Sequence, residues 1–576
     1  MKRLLAILLL LPALAFGQAK SVSILSFGAD NTGATDVSTA LNNAVTWVAG
    51  GQVVVPPGKY LLNGTATIAL ANVEIECQGS PAGSNYGPGG TYGTNGAVFL
   101  LTSTSVQPFT VGNAVRITDC NFFWPNQTQC AIAPTAYPPL FTEPLGSNMS
   151  NFDLVRDRII DAYDVIDQAS LANSDAIGNI SMTDTYGYAI RYWFSVGNVP
   201  ETVTVKGMSA DWNLYQNVAN AGNQCLTKWT AANGAFLHVY GNGNGTTTTS
   251  SVNIAGFTFD GAVFATNKFL WVDSTGSLTE SHATGILDTV PHVIQVDTGG
   301  CFASIYLNMV YVNISQFANG GTDNGTAFAL NSPASSGCTE TNIDIGGSFN
   351  TAQGDVIDVN GNPVKAINLH LGGFGTYANT STAGTYYFAN INAPNAQFTA
   401  IGNHVEPANP STSKHGFNIQ ACSQCVIAGS SFLGVHNPII LGSSTVPVVG
   451  TGNISGGSIP TGSSAIVGTG YYAHQLLNGN TWADVPLPTC SSCGSGPSCS
   501  VASGISSDIA GQINVGGGSV TACTLNFANA WTNYPKCMFN SGNGPTWFSG
   551  GSLTSAITIN NASSMGGGFI EYTCQP

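Results

Sequence analysis

Through the middle of the chain, apolar residues recur at every second position in short runs that end on glycine. Val203 and Val205 precede Gly207, Val252 and Ile254 precede Gly256, Ile343 and Ile345 precede Gly347, Leu369 and Leu371 precede Gly373, and Phe398 and Ala400 precede Gly402. Period-two alternation is the mark of a strand with one buried face. Most of these runs follow another kind, in which a glycine is succeeded three and five residues later by apolar residues, at Gly187, Gly234, Gly325, Gly354, Gly384 and Gly416. The last four of these glycines are 29, 30 and 32 residues apart. Two strands in constant order, returning at such a period, predict a solenoid whose inward residues stack coil on coil. A propeller would need antiparallel blades at a steadier period of about 40 to 45 residues, and the sequence shows none. Between Gly187 and Gly325 the spacing is irregular, which predicts loops leaving the coils, such as 241–249.

The two ends depart from this pattern. Lys2 and Arg3 precede an apolar run from Leu4 to Phe16 and a small-residue stretch reaching Ala19, the order of a secretory signal over residues 1–19. The run is too short for a bilayer span and contains Pro12; no other segment is long and apolar enough, so no membrane span is expected. A helix is predicted over Val37 to Val48. Beyond Gly450 the repeat fades into Gly/Ser-rich sequence, and alternation resumes over 519–527, 556–559 and 569–572. The expected organisation is a signal peptide at 1–19, a parallel β-helix at 20–460, a Gly/Ser/Pro-rich linker at 461–499 and a C-terminal β domain at 500–576, sandwich-like in its pattern.

Composition agrees with an all-β chain: only 7% of residues are charged and 70 are glycine, whereas long helices carry Glu, Lys and Arg on their surfaces. The formal net charge is −15, and no cluster of Lys and Arg is present to replace counterions on a phosphate backbone, which argues against nucleic acid. Such a surface suits neutral or amino sugars, or solubility alone. The 14 cysteines, an even number in a chain expected to be exported, predict disulfides. Cys422 with Cys425 and Cys490 with Cys493 have zinc-like spacing, but their separation and the oxidising destination argue against a metal site. No metal and no cofactor is expected.

The stretch after the signal is the most specific. It reads Phe27-Gly28-Ala29, then Gly33, Thr35 and Asp36, then the predicted helix, then Gly50-Gly51, Val53, Pro56-Pro57-Gly58 and Tyr60. This resembles the amino-terminal signature of the pectate-lyase-3 or rhamnogalacturonase-like family, also found on phage tailspikes. The resemblance implies a right-handed parallel β-helix with a capping helix, and action on a polysaccharide. Asp36 reads as a turn or helix-start residue rather than a catalyst. Polygalacturonase-like members carry further motifs, of which Met182-Thr183-Asp184 and Lys414-His415-Gly416 are only fragments, so galacturonan hydrolysis of that form is not implied. Thr521, Cys523, Phe527, Cys537 and Cys574 resemble modules that end some phage tail fibres.

Candidate chemistry follows from stacking. If the glycine-led strands align, their outward positions form a column of Arg191, His238, Asp358 and Gln420, interrupted by Ala329 and Phe388, a candidate binding surface for an extended polymer; outward residues are also polar by default. Asp211 and Asp260 each lie four residues beyond a strand-ending glycine and would be neighbours on adjacent coils, fit for an acid and base pair, or they are turn residues. Asp157, Asp161, Asp164 and Asp167 fit one face of a short helix, and Asp355 and Asp358 would point to opposite faces of a strand or sit at its edge. Two classes of function fit: an extracellular glycoside hydrolase or polysaccharide lyase, and a non-catalytic tailspike, tail fibre or adhesin on a virion or cell surface, for which a homotrimer is expected.

Overall fold

The computed structural model describes residues 20–79, 96–127, 135–144, 149–167, 179–197, 202–210, 234–240, 251–260, 266–288, 292–297, 299–313, 328–331, 341–350, 355–361, 364–371, 386–407, 414–442 and, as short segments, parts of 448–575. The chain divides into two compact units, Met1–Gln353 and Gly354–Pro576, described separately below.

In the first unit nearly every strand pairs in parallel with the equivalent strand of the next coil, and the pairs form three ladders. Along the first ladder Val53, Ile75, Ile117, Leu154, Met182, Val205, Ile254, Ala283, Leu307 and Ile345 are each the Cα partner of the next, and all of these but Leu307, of which only the backbone is described, are buried in the core. A parallel ladder keeps identical register from coil to coil, so one apolar position per coil suffices to build a continuous core column. The third ladder does the same with Phe141, Ile166, Phe194, Leu237, Leu270, Ile294 and Phe328. Aromatic residues thicken the amino-terminal part of the core: Phe99 stacks on Phe122 at 5.5 Å, and Phe109, Phe141 and Phe152 continue the contacts at 5.0 to 5.9 Å.

The second ladder was invisible to the glycine-led pattern. Its strands are short, as at Asn121–Phe123 and Ser209–Ala210, or are the bent continuation of longer ones such as Arg158–Asp167 and Tyr186–Gly197. Three strands per coil therefore replace the expected two. Where the chain bends along Arg158–Asp167, Asp161 adopts φ 70° and the register to the next coil shifts. The four aspartates at 157, 161, 164 and 167 accordingly line a strand and its corner, not a helix: β-branched and aromatic neighbours favour extension, and the ladders on both sides hold it there. Asp157 is fully buried and accepts from the Cys120 and Val155 amides, closing a corner between coils.

The amino-terminal signature has a structural explanation. Asp30 accepts from Thr32, Ala34 and Thr35 amides and from the Thr32 hydroxyl, and Asp36 accepts from the amides of Ser38, Asn63 and Thr65. These bonds hold the loop and the start of the helix Ser38–Val48. The helix buries Ala40, Leu41, Ala44, Val45 and Val48 against the first-coil strands. Gly58 has φ 155°, and a Cβ there would meet Asn31 at 2.8 Å, while the Tyr60 hydroxyl donates to the Pro56 carbonyl at 2.7 Å. Cys77 and Cys120 form a disulfide between successive coils.

The second unit begins with further parallel coils, whose pairing continues through Ile466–Val467, Tyr471–Ala473 and Leu476–Asn478. Coil strands thus extend into the stretch expected to be linker, because alternation survives there in runs too short to stand out by composition. Leu476–Asn478 also pairs antiparallel with Thr481–Trp482, and from Thr489 onward the pairing is antiparallel in two four-stranded sheets. Ile513, Leu525, Ile557, Ile559, Ile570 and Tyr572 form one core between them, a sandwich-like module. Its disulfides are Cys490–Cys499, Cys493–Cys523 and Cys537–Cys574, so the Cys490 and Cys493 spacing serves cross-linking. Cys422 is likewise paired with Cys425. Among the described residues no helix is long and apolar enough to cross a membrane.

Gly187 tests the close winding of the second ladder. A Cβ there would lie 1.9 Å from the Ile159 carbonyl oxygen, whereas at Gly28, also at positive φ, it would meet nothing within 4 Å. Gly28→Ala should cost about 1–2 kcal/mol of backbone strain, and Gly187→Ala clearly more in thermal unfolding. Equal losses would show that the inter-coil contact relaxes away.

Candidate functional site

The outward side of the third ladder in the first unit carries the column Asp167, Ser195, His238, Trp271, Gln295 and Ala329, each the Cα partner of the next. The flanking Phe194 and Val196, Leu237 and Val239, and Leu270 and Val272 fill the core. Parallel register therefore sets one chemically distinct residue every coil, about 4.8 Å apart.

His238 occupies the middle of this column within a stack of rings. Tyr192 lies 4.9 Å away and Trp271 4.3 Å, both nearly parallel to it, with Tyr240 at 5.6 Å. Its Nδ1 is 3.1 Å from the Ser195 hydroxyl and its Nε2 3.1 Å from Asp273 Oδ2. Burial alone would raise the Asp273 carboxyl, but hydrogen bonds from His238 and from the Thr275 hydroxyl and amide bring it below the usual carboxylate range. An ionised Asp273 can only accept, so Nε2 carries a proton and, in the neutral ring, Nδ1 accepts from Ser195. The Trp271 indole donates to Asp297 at 2.9 Å.

One coil earlier, Arg191 makes two hydrogen bonds to Asp164, at 2.8 and 2.5 Å, and a third to Asp167 at 3.2 Å. Its guanidinium lies 4.8 Å from the Tyr163 ring centre and 4.6 Å from that of Tyr192. Burial works against its charge, yet Asp164 and Asp167 outweigh burial and hold Arg191 above its ordinary value. The guanidinium is thus a fixed cation between two carboxylates and two rings.

Tyr240 folds across Gly197, where a Cβ would come within 2.7 Å of its ring. Its hydroxyl is buried and has no hydrogen-bond partner among the described residues. Burial first, then the charges of Asp167, Glu143 and Asp273, push the phenol well above its usual value. Glu143, itself buried, follows the strand Phe141–Thr142. These carboxylates belong to different coils, Glu143 and Asp273 being four register steps, roughly 19 Å, apart along the ladder.

The second unit presents a different outward column. Asp358, Asn390 and Asn418 are ladder partners; Asn390 donates to Asp358 at 3.2 Å, and Asn418 and Gln420 donate to Asn390 at 2.9 and 3.2 Å. Side-chain amides that satisfy one another in this way stabilise a ladder without any ligand. Asp355 precedes the strand Ile357–Asn360, at its edge, and the Asp358 charge adds to burial in raising its carboxyl. Its carboxyl accepts from the Tyr387 amide at 2.7 Å. Tyr387, His415 and His436 form a row of rings 5.5 and 5.3 Å apart.

Of the residues expected from sequence, His238 and Ala329 share one outward column as anticipated, although two coils, carrying Trp271 and Gln295, lie between them. Arg191 stands beside that column and reaches His238 only through the Tyr192 ring. Asp358 and Gln420 belong to the second unit and meet through Asn390, while Phe388 is buried in the core. Asp211 lies outside the described residues. Of Asp260 only the backbone is described, at the end of the strand Ser251–Asp260, where its ladder partner is Asp288. Sequence reading missed Tyr192, Tyr240, Trp271, Asp273 and Glu143. A signal for most of them exists in the aligned runs Trp193-Phe-Ser-Val-Gly197, Phe236-Leu-His-Val-Tyr240, Phe269-Leu-Trp-Val-Asp273 and Val293-Ile-Gln-Val-Asp297, a repeat that does not depend on a leading glycine.

Two outcomes test this description. Asp164 has 1% of its side chain exposed, and burial pushes its carboxyl up to about 7 even against Arg191, so Arg191→Met leaves a buried carboxyl that takes up a proton and loses its donors, at a cost of about 1–3 kcal/mol. Adding Asp164→Asn should recover part of that loss in denaturant unfolding; no recovery would refute the pairing. In the second unit, burial foremost pushes Asp355 up to about 6 from 3.8, aided by Asp358 and opposed by the Tyr387 amide. A raised folded-state value means that the folded chain holds the proton more tightly, so stability is fullest below about pH 4 and declines as pH rises through 6. Asp355→Asn should therefore be more stable than the parent at pH 7 by about 1–3 kcal/mol, with no gain at pH 4.

The model of the rhamnogalacturonase A/epimerase, pectate lyase-like family matches residues 21–123. No curated protein matches the chain in sequence. Solved structures similar to it include the mannuronan C-5 epimerase AlgE6 A-module of Azotobacter vinelandii, at 12% identity and a TM-score of 0.30, covering 79% of this chain and 99% of that one. The tailspike protein of E. coli bacteriophage HK620, in complex with a pentasaccharide, is 11% identical with a TM-score of 0.40, covering 96% and 94%. The catalytic unit of a GH87 α-1,3-glucanase from Streptomyces thermodiastaticus strain HF3-3 is 11% identical with a TM-score of 0.31, covering 82% and 72%. Residues 21–123 carry the sequence pattern of the rhamnogalacturonase A/epimerase, pectate lyase-like family, at the head of a chain wound as a parallel β-helix.

Proposed function

We propose that this protein acts outside the cell on an extended polysaccharide, which it binds along the outward third ladder of the first unit and cleaves by hydrolysis. The observation that carries this reading is the stack of Tyr192, His238 and Trp271 on the outward third ladder, in which His238 bridges the Ser195 hydroxyl and an ionised Asp273. The ring faces are largely occupied by one another, so the stack offers edges, hydroxyls and a rigid frame. Asp167 is committed to Arg191. We therefore assign Asp273, held ionised, to stabilise or attack the positive anomeric centre.

Elimination from a uronate is less well supported. That reaction requires a cation to neutralise the sugar carboxylate, yet Arg191 is engaged by Asp164 and Asp167, and Lys268 is buried with its ammonium 4.7 Å from the Trp271 ring centre.

A panel of polysaccharides should give new reducing ends and no unsaturated product absorbing in the ultraviolet. Asp273→Asn should lower turnover by about 10²- to 10⁴-fold while binding survives. Asp211→Asn and Asp260→Asn test the alternative pair: if they abolish turnover and Asp273→Asn does not, the catalytic role passes to Asp211 and Asp260. Binding with no product of either kind would leave a glycan-binding fibre or adhesin, for which solution size should report a trimer.

A further inference from the structure

We propose that Tyr240 gates the site in the first unit: its ring rests folded across Gly197 with the hydroxyl unused, and swings outward when a sugar polymer binds, so that the phenol bonds a sugar hydroxyl beside Asp273. This rests on the polysaccharide reading above and adds how the site opens to its substrate.

Three observations support it. The first is the cost of the resting position. Tyr240 is 9% exposed, and its hydroxyl is enclosed without a hydrogen-bond partner among the described residues. Burying a hydroxyl unpaired is unfavourable, and phenylalanine in the same pose would carry no such penalty. Neighbouring polar groups on this face are paired: His238 with Ser195 and Asp273, the Trp271 indole and Gln295 with Asp297. The orphan hydroxyl therefore belongs to Tyr240 and not to a general looseness of the ladder.

The second is freedom to leave. Tyr240 ends the strand Gly234–Tyr240, and its ring lies on the bare backbone of Gly197, where a Cβ would come within 2.7 Å of it. Its ring centre is 5.6 Å from that of His238, whereas Tyr192 and Trp271 stack on His238 at 4.9 and 4.3 Å. Departure of this loosest member leaves the other three rings in place.

The third is the destination. Val239 and Val272 are ladder partners, and the Asp273 amide donates to the Val239 carbonyl at 3.0 Å. Tyr240 and Asp273 thus stand side by side on consecutive coils, about 4.8 Å apart. Asp273 has 22% of its side chain exposed. A tyrosine side chain is longer than this spacing, so turning it off Gly197 and out from the strand brings the hydroxyl beside the carboxylate assigned to the anomeric centre. There a phenol can both donate to and accept from a sugar hydroxyl. A resting state burdened by an unpaired hydroxyl lies close in free energy to the open one, and a ligand that bonds the phenol shifts the population.

The test uses the full chain with a neutral glucan, polygalacturonate and glycol chitosan as probes. Tyr240→Phe removes the hydroxyl and keeps the ring. Its thermal transition should rise by about 1–4 °C, while affinity for the polymer that the parent binds should fall about fivefold or more. A merely structural tyrosine would not separate the two readouts in this way. Gly197→Ala drives the ring outward; tetranitromethane should then nitrate Tyr240 several-fold faster than in the parent, read by peptide mass. The polymer should also bind several-fold more tightly, because opening no longer opposes binding. A transition in Tyr240→Phe at or below the parent's would show that the hydroxyl is bonded at rest, and unchanged affinity would show that the ligand does not use it; either overturns the proposal. Slow nitration in a folded Gly197→Ala does the same, and if that variant fails to fold, Tyr240→Phe alone decides. Should parent and Tyr240→Phe bind and cleave polymers equally, only the gate fails. If the parent binds no polymer, the polysaccharide reading falls and the gate with it.

Discussion

Everything in the coil regions depends on the backbone hydrogen bonds that run from one coil to the next. A parallel ladder satisfies each coil's amides and carbonyls only through its neighbours, and it allows one register at a time: slipping by a single residue would turn every core side chain to solvent. That restriction is why Val53 and Ile345, far apart in sequence, stand in the same inward column. It also explains why glycines and buried polar residues cluster where the chain turns. Asp157 caps amides of Cys120 and Val155 at one corner; Asn403 and Asn453 donate to the carbonyls of Leu369 and Ile427 on the preceding coils at others.

The same register builds the outward surface. Because inward positions are apolar on every coil, the residues between them are released to carry chemistry, and consecutive coils place them at ladder spacing whatever loops intervene. Ser195, His238 and Asp273 meet in this way although each comes from a different coil. The rings of Tyr192, His238 and Trp271 then stack along the ladder direction, and the stack fixes the imidazole so that both nitrogens face defined partners. Arg191, Asp164 and Asp167 complete a charged network in which every member is oriented by more than one contact. A surface prepared to this degree suits recognition of a repeating polymer, since equivalent positions recur along it.

The two units differ in what they present outward. In the second, Asp358, Asn390, Asn418 and Gln420 satisfy one another as an amide network, and its antiparallel module is held by disulfides and a compact apolar core. In the first, the Tyr240 hydroxyl is enclosed with no hydrogen-bond partner among the described residues. That contrast, more than the winding itself, locates the candidate site.

Local pattern alone determined the solenoid: alternation at 203–205, 252–254, 343–345, 369–371 and 398–400 marks the first ladder, the glycine-led runs mark the third, and the motif from Phe27 to Tyr60 marks the start of the helix. These are legible because strand burial has a period of two and because positions such as Gly58 tolerate no side chain. The second ladder escaped notice, since strands of two or three residues show no periodicity, and bends like that at Asp161 join it to its neighbours. The site escaped too, for a different reason. Coil lengths vary with the loops, so the glycine count aligned Arg191 with His238, whereas the hydrogen-bonded register aligns Ser195 with His238 and brings Trp271 between His238 and Ala329. Which outward residues become neighbours is a property of pairing across coils, and only the tertiary structure decides it.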